Sequence, residues 1–217
     1  MRALPLGRRR LREEALPDEV RRRLAERRAA ATGLVGSAAA AGYVAGAPAG
    51  YLLAHGPADV ARQARLLAGP GGSPRVVVTP SRSPREWRID VAGRDRPGLL
   101  AAISGVLAAQ RLDVVRAVAA TWEDGSALDA FVVRSDAAPD SLAIEEAVAA
   151  NLRVPQWSAP ITGATVAFER EDGRPYTLCT VVASDRPGLL HDLAVAITSA
   201  GADIHAASLS SDRGVAR

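Results

Sequence analysis

Asp95-Arg96-Pro97-Gly98-Leu99-Leu100 recurs unchanged as Asp185-Arg186-Pro187-Gly188-Leu189-Leu190, an offset of 185 − 95 = 90 residues. A fixed-period repeat of a specific turn demands two copies of one supersecondary unit. Each copy follows a strand-like run and precedes a helix-like run. Any fold proposed for the chain has to place this strand–turn–helix twice.

In the first copy Trp87, Ile89 and Val91 alternate with Arg88 and Asp90, the period-2 pattern of a half-buried strand. After the turn, Leu99, Ile103, Val106 and Leu107 fall at helical spacing to about Gln110. Val114 to Trp122 reads as a strand, Glu123-Asp124-Gly125-Ser126 as a hairpin turn and Leu128 to Arg134 as its partner strand. Asp140-Ser141 caps a helix over Leu142 to Leu152, with Ile144 and Val148 inward. Thr162 to Glu169 supplies a last strand. The order β-α-β-β-α-β is the ferredoxin-like arrangement, an α+β fold with two helices on one sheet face. The second copy gives a strand (Thr177 to Ala183), the turn, a helix (Leu189, Leu193, Ile197), a strand (Asp203 to Ser210) and a turn at Asp212-Arg213-Gly214. Only Val215 to Arg217 follow, so we read this unit as incomplete and the chain as a fragment, with a sheet edge and face uncovered.

The segment ahead of the repeats differs in composition. All 27 basic side chains are Arg, and residues 1–31 hold ten of them against five acids. The formal charge of +3 therefore resides in the N-terminal segment. Residues 8–31 are predicted to form a basic helix, with Pro17-Asp18-Glu19 in a first turn and Leu16, Val20, Leu24 and Ala31 as a thin apolar stripe. With no aromatic interleaved for stacking on bases, we read it as a solvated helix rather than a nucleic-acid surface. Residues 33–50 are Gly/Ala-rich and weakly determined. A helix starts near Pro57, with Val60, Ala64 and Leu67 on one face. Residues 75–79 form a short strand outside the repeats, and Pro80 to Pro84 a linker. The divisions are 1–50, 51–84, a first unit at 85–153 (last strand at 162–169), an inter-unit segment at 154–174 and a second unit at 175–217.

The chemistry suggested is binding rather than catalysis. Cys179, the single cysteine, excludes an intrachain disulfide and reads as a small buried residue in a reducing, cytoplasmic compartment. The Ala-rich run 37–49 is too short and too interrupted to span a bilayer. His55, His191 and His205 are scattered, without metal-ligand spacing, and no phosphate-binding glycine loop precedes a helix. The repeated turn is the exception. A strand leading to a helix N-terminus offers free N–H groups and a favourable dipole to an anion. Gly98 and Gly188 let a ligand approach the backbone, and Asp95 or Asp185 can accept from an ammonium. The strand openings repeat as well, at Asp113 and Asp203. The candidate site residues are Asp95, Arg96, Pro97, Gly98, Leu99 and Asp113, with Asp185, Arg186, Pro187, Gly188, Leu189 and Asp203. A tight turn with a capping role explains the same residues without a ligand.

On the repeated Asp-Arg-Pro-Gly-Leu-Leu turn and the strands opening at Asp113-Val114 and Asp203-Ile204, the two units resemble ACT domains. More narrowly, they are similar to the C-terminal region of the bifunctional PII uridylyltransferase/uridylyl-removing enzyme family. That resemblance rests also on Tyr51-Leu52-Leu53-Ala54-His55-Gly56-Pro57-Ala58-Asp59-Val60-Ala61-Arg62, on Asp124-Gly125-Ser126-Ala127-Leu128-Asp129-Ala130-Phe131, and on Val166-Ala167-Phe168-Glu169 ahead of Tyr176-Thr177. It covers roughly residues 45–217. It implies an ACT pair that binds an amino acid, glutamine in that family, and regulates catalytic domains. The parent enzymes use Mg2+ and a nucleoside triphosphate and act on the PII signalling protein. No catalytic residue and no cofactor site carries over to this chain. A stand-alone double-ACT adaptor binding another amino acid is the alternative, and neither reading involves a membrane.

Overall fold

A computed structural model of the chain describes residues 13, 16–71, 73–154, 156–170, 177–212 and 214–217. The first part of the basic segment, Tyr176 and Arg213 lie outside these residues. The elements are α1 (Asp18–Thr32), α2 (Ala38–Ala45), α3 (Ala49–Ala54), α4 (Pro57–Leu67), β1 (Arg75–Pro80), β2 (Glu86–Arg94), α5 (Leu99–Ala109), β3 (Asp113–Thr121), β4 (Ser126–Arg134), α6 (Ser141–Asn151), β5 (Thr165–Glu169), β6 (Leu178–Ser184), α7 (Leu189–Ser199), β7 (Ala206–Asp212) and β8 (Val215–Ala216).

The strands join in one antiparallel sheet of order β1-β2-β4-β3-β7-β8-β6-β5. The α+β class and ferredoxin-like character follow from the sequence as expected, but one strand assignment does not. Residues 165–169 do not close the first unit; they pair with β6 at the edge of the second. The place beside β2 is taken by β1, the short strand read from the sequence as lying outside the repeats. Each unit is thus entered by its edge strand instead of finished by it. The strand order is the same either way, and β1 is next to β2 in the chain, so a short connection places it there.

Alternation in the central strands serves two cores. Ile89 and Val91 of β2, Ala117 and Ala119 of β3, and Ala127, Phe131 and Val133 of β4 face α5, α6 and α7. Ala92, Ala120, Trp122 and Leu128 face the other way, onto α1 to α4. The polar positions of β2 are therefore not solvated as the period-2 reading implied. Asp90 is 2% exposed, capped by Arg62 (Nε 3.0 Å, Nη2 2.7 Å) and Gln63 (Nε2 2.8 Å) of α4. Tyr51 donates to Gln63 Oε1 at 2.6 Å and completes the chain of bonds. A buried carboxylate is tolerated because each neighbour is itself satisfied.

The basic helix is solvated along most of its surface, as expected, but one edge docks on the rest of the helical layer. It starts at Asp18, with Pro17 as its N-cap, and buries Leu24 and Ala31 completely. Its Arg27 donates to the carbonyls of Leu52 (2.5 Å), Leu53 (2.9 Å) and His55 (2.7 Å), closing the C-terminus of α3. The weakly determined stretch 33–50 resolves into α2, capped by the Ser37 hydroxyl, and the start of α3. The helix expected near Pro57 is α4, which buries Val60, Ala64 and Leu67 on one face as the spacing predicted. Cys179 is half-buried, more open than its strand position suggested. Strand β5 is exposed along its length, and Phe168 is 71% exposed, so the expected uncovered face of the second unit is present. Among the described residues no helix is long and apolar enough to cross a membrane.

Candidate functional site

The two Asp-Arg-Pro-Gly turns are built alike down to their hydrogen bonds. Asp95 N–H donates to Gly125 O and Asp185 N–H to Gly214 O, each at 2.8 Å. Leu99 N–H reaches Arg96 O at 3.1 Å, and Leu189 N–H reaches Arg186 O at 3.2 Å. Gly98 and Gly188 stand at φ 83° and 79°, the left-handed region that glycine enters at least cost. A Cβ on Gly98 would meet nothing within 4 Å, so its glycine is required by backbone angle rather than by crowding. The turn tethers to the hairpin glycine and releases the chain directly into a helix.

The units pair through β3 and β7, antiparallel, and through α5 packed on α7. This pairing, of the kind the resemblance implied, creates two clefts between the units. In one, Asp95, Arg96, Gly98 and Leu99 of the first unit face Asp203 and Ile204 of the second. In the other, Asp185, Arg186, Pro187, Gly188 and Leu189 face Leu112, Asp113 and Val114 of the first. The clefts are of similar size, shallow and open to solvent. Each turn meets the strand opening of the opposite unit, and the first half of the second unit suffices to form both. Pro97 does not line the Asp95 cleft.

The two arginines turn to the protein. Arg96 donates to Leu152 O at 3.0 Å, at the end of α6. Arg186 is paired with Asp192 at 2.6 Å, and Asp192 also accepts from Ala159 N–H at 2.7 Å. Their role in this geometry is to anchor the turns. Asp113 is 3.4 Å from Arg134, and Asp203 is 3.8 Å from His205. Asp185 accepts from Ser211 Oγ. His191, noted in the sequence only for lacking metal-ligand spacing, spans the units, with Nδ1 2.9 Å from Ala101 O and Nε2 3.1 Å from Trp157 O.

Asp129 was missed. It lies in the Asp95 cleft, 4% exposed, on the same side of β4 as Ala127, Phe131 and Val133. Burial first, and then the neighbouring Asp95 charge, push its carboxyl up to about 7. An acid on the apolar parity of a strand is visible in the sequence, but the hairpin pattern drew attention to its turn instead. At the hairpin, desolvation is outweighed by hydrogen bonds from Ser126 and Tyr43 and by Arg94, which hold Asp124 below the usual carboxylate range.

Fold and site define an α+β protein of two ferredoxin-like repeats, paired so that each lends a wall to the other's cleft. Comparison with known proteins places the chain next to bifunctional uridylyltransferase/uridylyl-removing enzymes. It is 29% identical to that of Azospirillum brasilense over 186 aligned positions, 74% of this chain and 20% of the relative. It is 30% identical to that of Burkholderia orbicola strain MC0-3 over 181 positions, and 31% identical to that of Burkholderia mallei strain SAVP1, in each case 74% of this chain and 21% of the relative. The chain spans about a fifth of the length of these curated relatives. It resembles a portion of that family. No family model and no solved structure matches the chain.

Proposed function

We propose that the chain is a regulatory ACT pair of the uridylyltransferase/uridylyl-removing class, binding a free amino acid, glutamine, in its inter-unit clefts. The observation that carries this reading is the construction of those clefts. Each joins a helix N-terminus to a carboxylate on the turn and a second on the opposite unit, Asp113 at the start of β3 or Asp203, which lies three residues ahead of β7 and not on the strand expected to open there. A free amino acid carries a carboxylate and an ammonium on one carbon, and such a site offers complementary charge to both. Because each cleft is shared, a ligand there contacts both units and biases how they pair, which is how binding would be transmitted to attached catalytic domains. By the resemblance, those domains modify the PII protein in the cytoplasm, with Mg2+ and a nucleoside triphosphate.

Calorimetric titration of glutamine into the chelator-treated chain tests the reading. We expect saturable binding, reduced by Asp113→Asn, which changes an exposed residue of one cleft. No heat and no thermal shift at millimolar glutamine would remove glutamine as the ligand.

A further inference from the structure

We propose that the Asp95 cleft is a binding site for a divalent transition-metal cation, with Asp95, Asp203 and His205 as its protein ligands. One donor atom from each of these residues lies within 4.8 Å of the others. A coordination shell with bonds of about 2.1 Å places neighbouring donors roughly 3–4 Å apart, a distance that small side-chain rotations reach from here. His205 and Asp203 have half-exposed side chains, free to make that adjustment, while Asp95 is fixed by its turn.

The second, independent observation is Asp129. Its side chain lines the same cleft and is 96% buried, and among the described residues no hydrogen bond or ion pair reaches its carboxylate. Buried carboxylates are ordinarily paired or bound to a cation. The one cation lining the cleft, Arg96, is turned to the Leu152 carbonyl. Thr121 and Thr198 also line the cleft and add neutral oxygens. Three carboxylates thus lie in one cleft, with the His205 imidazole within reach of two of them, and the buried one, Asp129, has no hydrogen-bond or ion-pair partner among the described residues. Mixed imidazole and carboxylate donors suit Mn2+ to Zn2+ better than Mg2+ or Ca2+, which prefer oxygen alone.

The dyad-related cleft is a built-in control. Asp185 and Asp113 occupy the positions of Asp95 and Asp203 there, but the residue matching His205 is Val115, ninety positions earlier. It should not hold the cation.

The test is titration of the chelator-treated full chain with Co2+ alone, followed by visible absorbance and calorimetry. We expect one Co2+ per chain, with ligand-field bands, competed by Zn2+. His205→Ala, a half-exposed position where folding is not at risk, should weaken binding at least ~10-fold, while Asp113→Asn in the other cleft leaves it unchanged. Absence of saturable one-to-one binding, or equal Co2+ affinity of His205→Ala and wild type, would overturn the proposal. No amino acid is present in this experiment, so its failure leaves the amino-acid reading standing, and failure of the glutamine titration leaves the metal site standing.

Discussion

Val118 and Ser208 sit at the same place in the two copies, ninety residues apart, and they are paired with each other across β3 and β7. The pairs on either side respect the same axis: Arg116 meets Ser210 and Ala120 meets Ala206, and each pair is the repeat image of the other. The axis continues through the helices, where His191 of α7 bonds the carbonyl of Ala101, its own counterpart in α5. The units therefore associate as an isologous pair within one chain, the geometry of a two-fold dimer. A two-fold relation makes two clefts of one design, and sequence divergence between the copies makes them chemically unequal.

The axis can be tested at Gly105. A Cβ there would stand 2.9 Å from His191 Nδ1 and 3.3 Å from Asn151 Nδ2. Alanine in a helix interior normally gains up to about 1 kcal/mol over glycine. Held against a clamped imidazole, we expect Gly105→Ala instead to destabilise the chain by about 1–2 kcal/mol. In a His191→Ala background the same change should be stabilising. Urea denaturation of the four variants of this cycle decides it; additive effects would mean that α5 and α7 are not packed through these residues.

The helical layer is pinned to the sheet at Asp90. Replacing it with Ala leaves Gln63 and the partly buried Arg62 without their common acceptor, and breaking a buried pair of this kind costs about 3–5 kcal/mol. Trp122 reports on the same interface, because its Nε1 donates to Tyr43 O at 2.9 Å and its ring meets Tyr51 edge-on at 5.0 Å. We expect Asp90→Ala to lower the urea midpoint and shift Trp122 emission to the red. A loss under about 1 kcal/mol would show that apolar contacts alone hold the layer.

His55 gives this layer a dependence on pH. Burial holds its imidazole below the ordinary value of 6.5, against the opposing effect of its bond to Tyr51 O. The folded state therefore binds the proton less readily than the unfolded chain does. Its contribution to stability is intact above pH 6.5 and declines as pH falls from there toward the lowered folded value. His55→Phe retains the stacking on Tyr51 but does not titrate. Between pH 7.5 and 5.5 the wild type should lose more stability than this variant in paired thermal melts; parallel losses would exclude His55 as the cause.

What the sequence could show was what lies close along the chain. The turns, the α5 and α7 periodicities, the hairpin at Gly125 and the inward Ile144 and Val148 are local, and each appears where its spacing placed it. The errors share one origin in long-range pairing. Strand β1 and β5 were assigned by their order, whereas sheet edges are filled by whichever strand can reach them. Pairing of the two units was expected from the resemblance, but which residues face each other was not legible: Asp95 meets Asp203 and Asp185 meets Asp113 because the dyad brings opposite units together. Asp95 and His205 are likewise adjacent in space only, and no spacing rule links them. The docked edge of the Arg-rich helix was not legible because the carbonyls that Arg27 binds belong to α3, a helix the Gly/Ala-rich composition did not announce.

Stability should fall across the sheet from β2 toward β5. Strand β2 lies between two paired neighbours and carries fully buried Ile89, whereas β5 pairs with β6 alone and none of its residues is buried. Local opening costs least where backbone bonds are exposed and few apolar contacts are lost. In native-state hydrogen exchange we therefore expect the β5 amides that bond to β6 to exchange by local opening, insensitive to low urea. The amides of β2 and β4 should exchange only with global unfolding, with a urea dependence matching the equilibrium m-value. Uniform protection across all eight strands would mean that the second unit is as firmly held as the first, and that β5 is covered in solution by something that binds it.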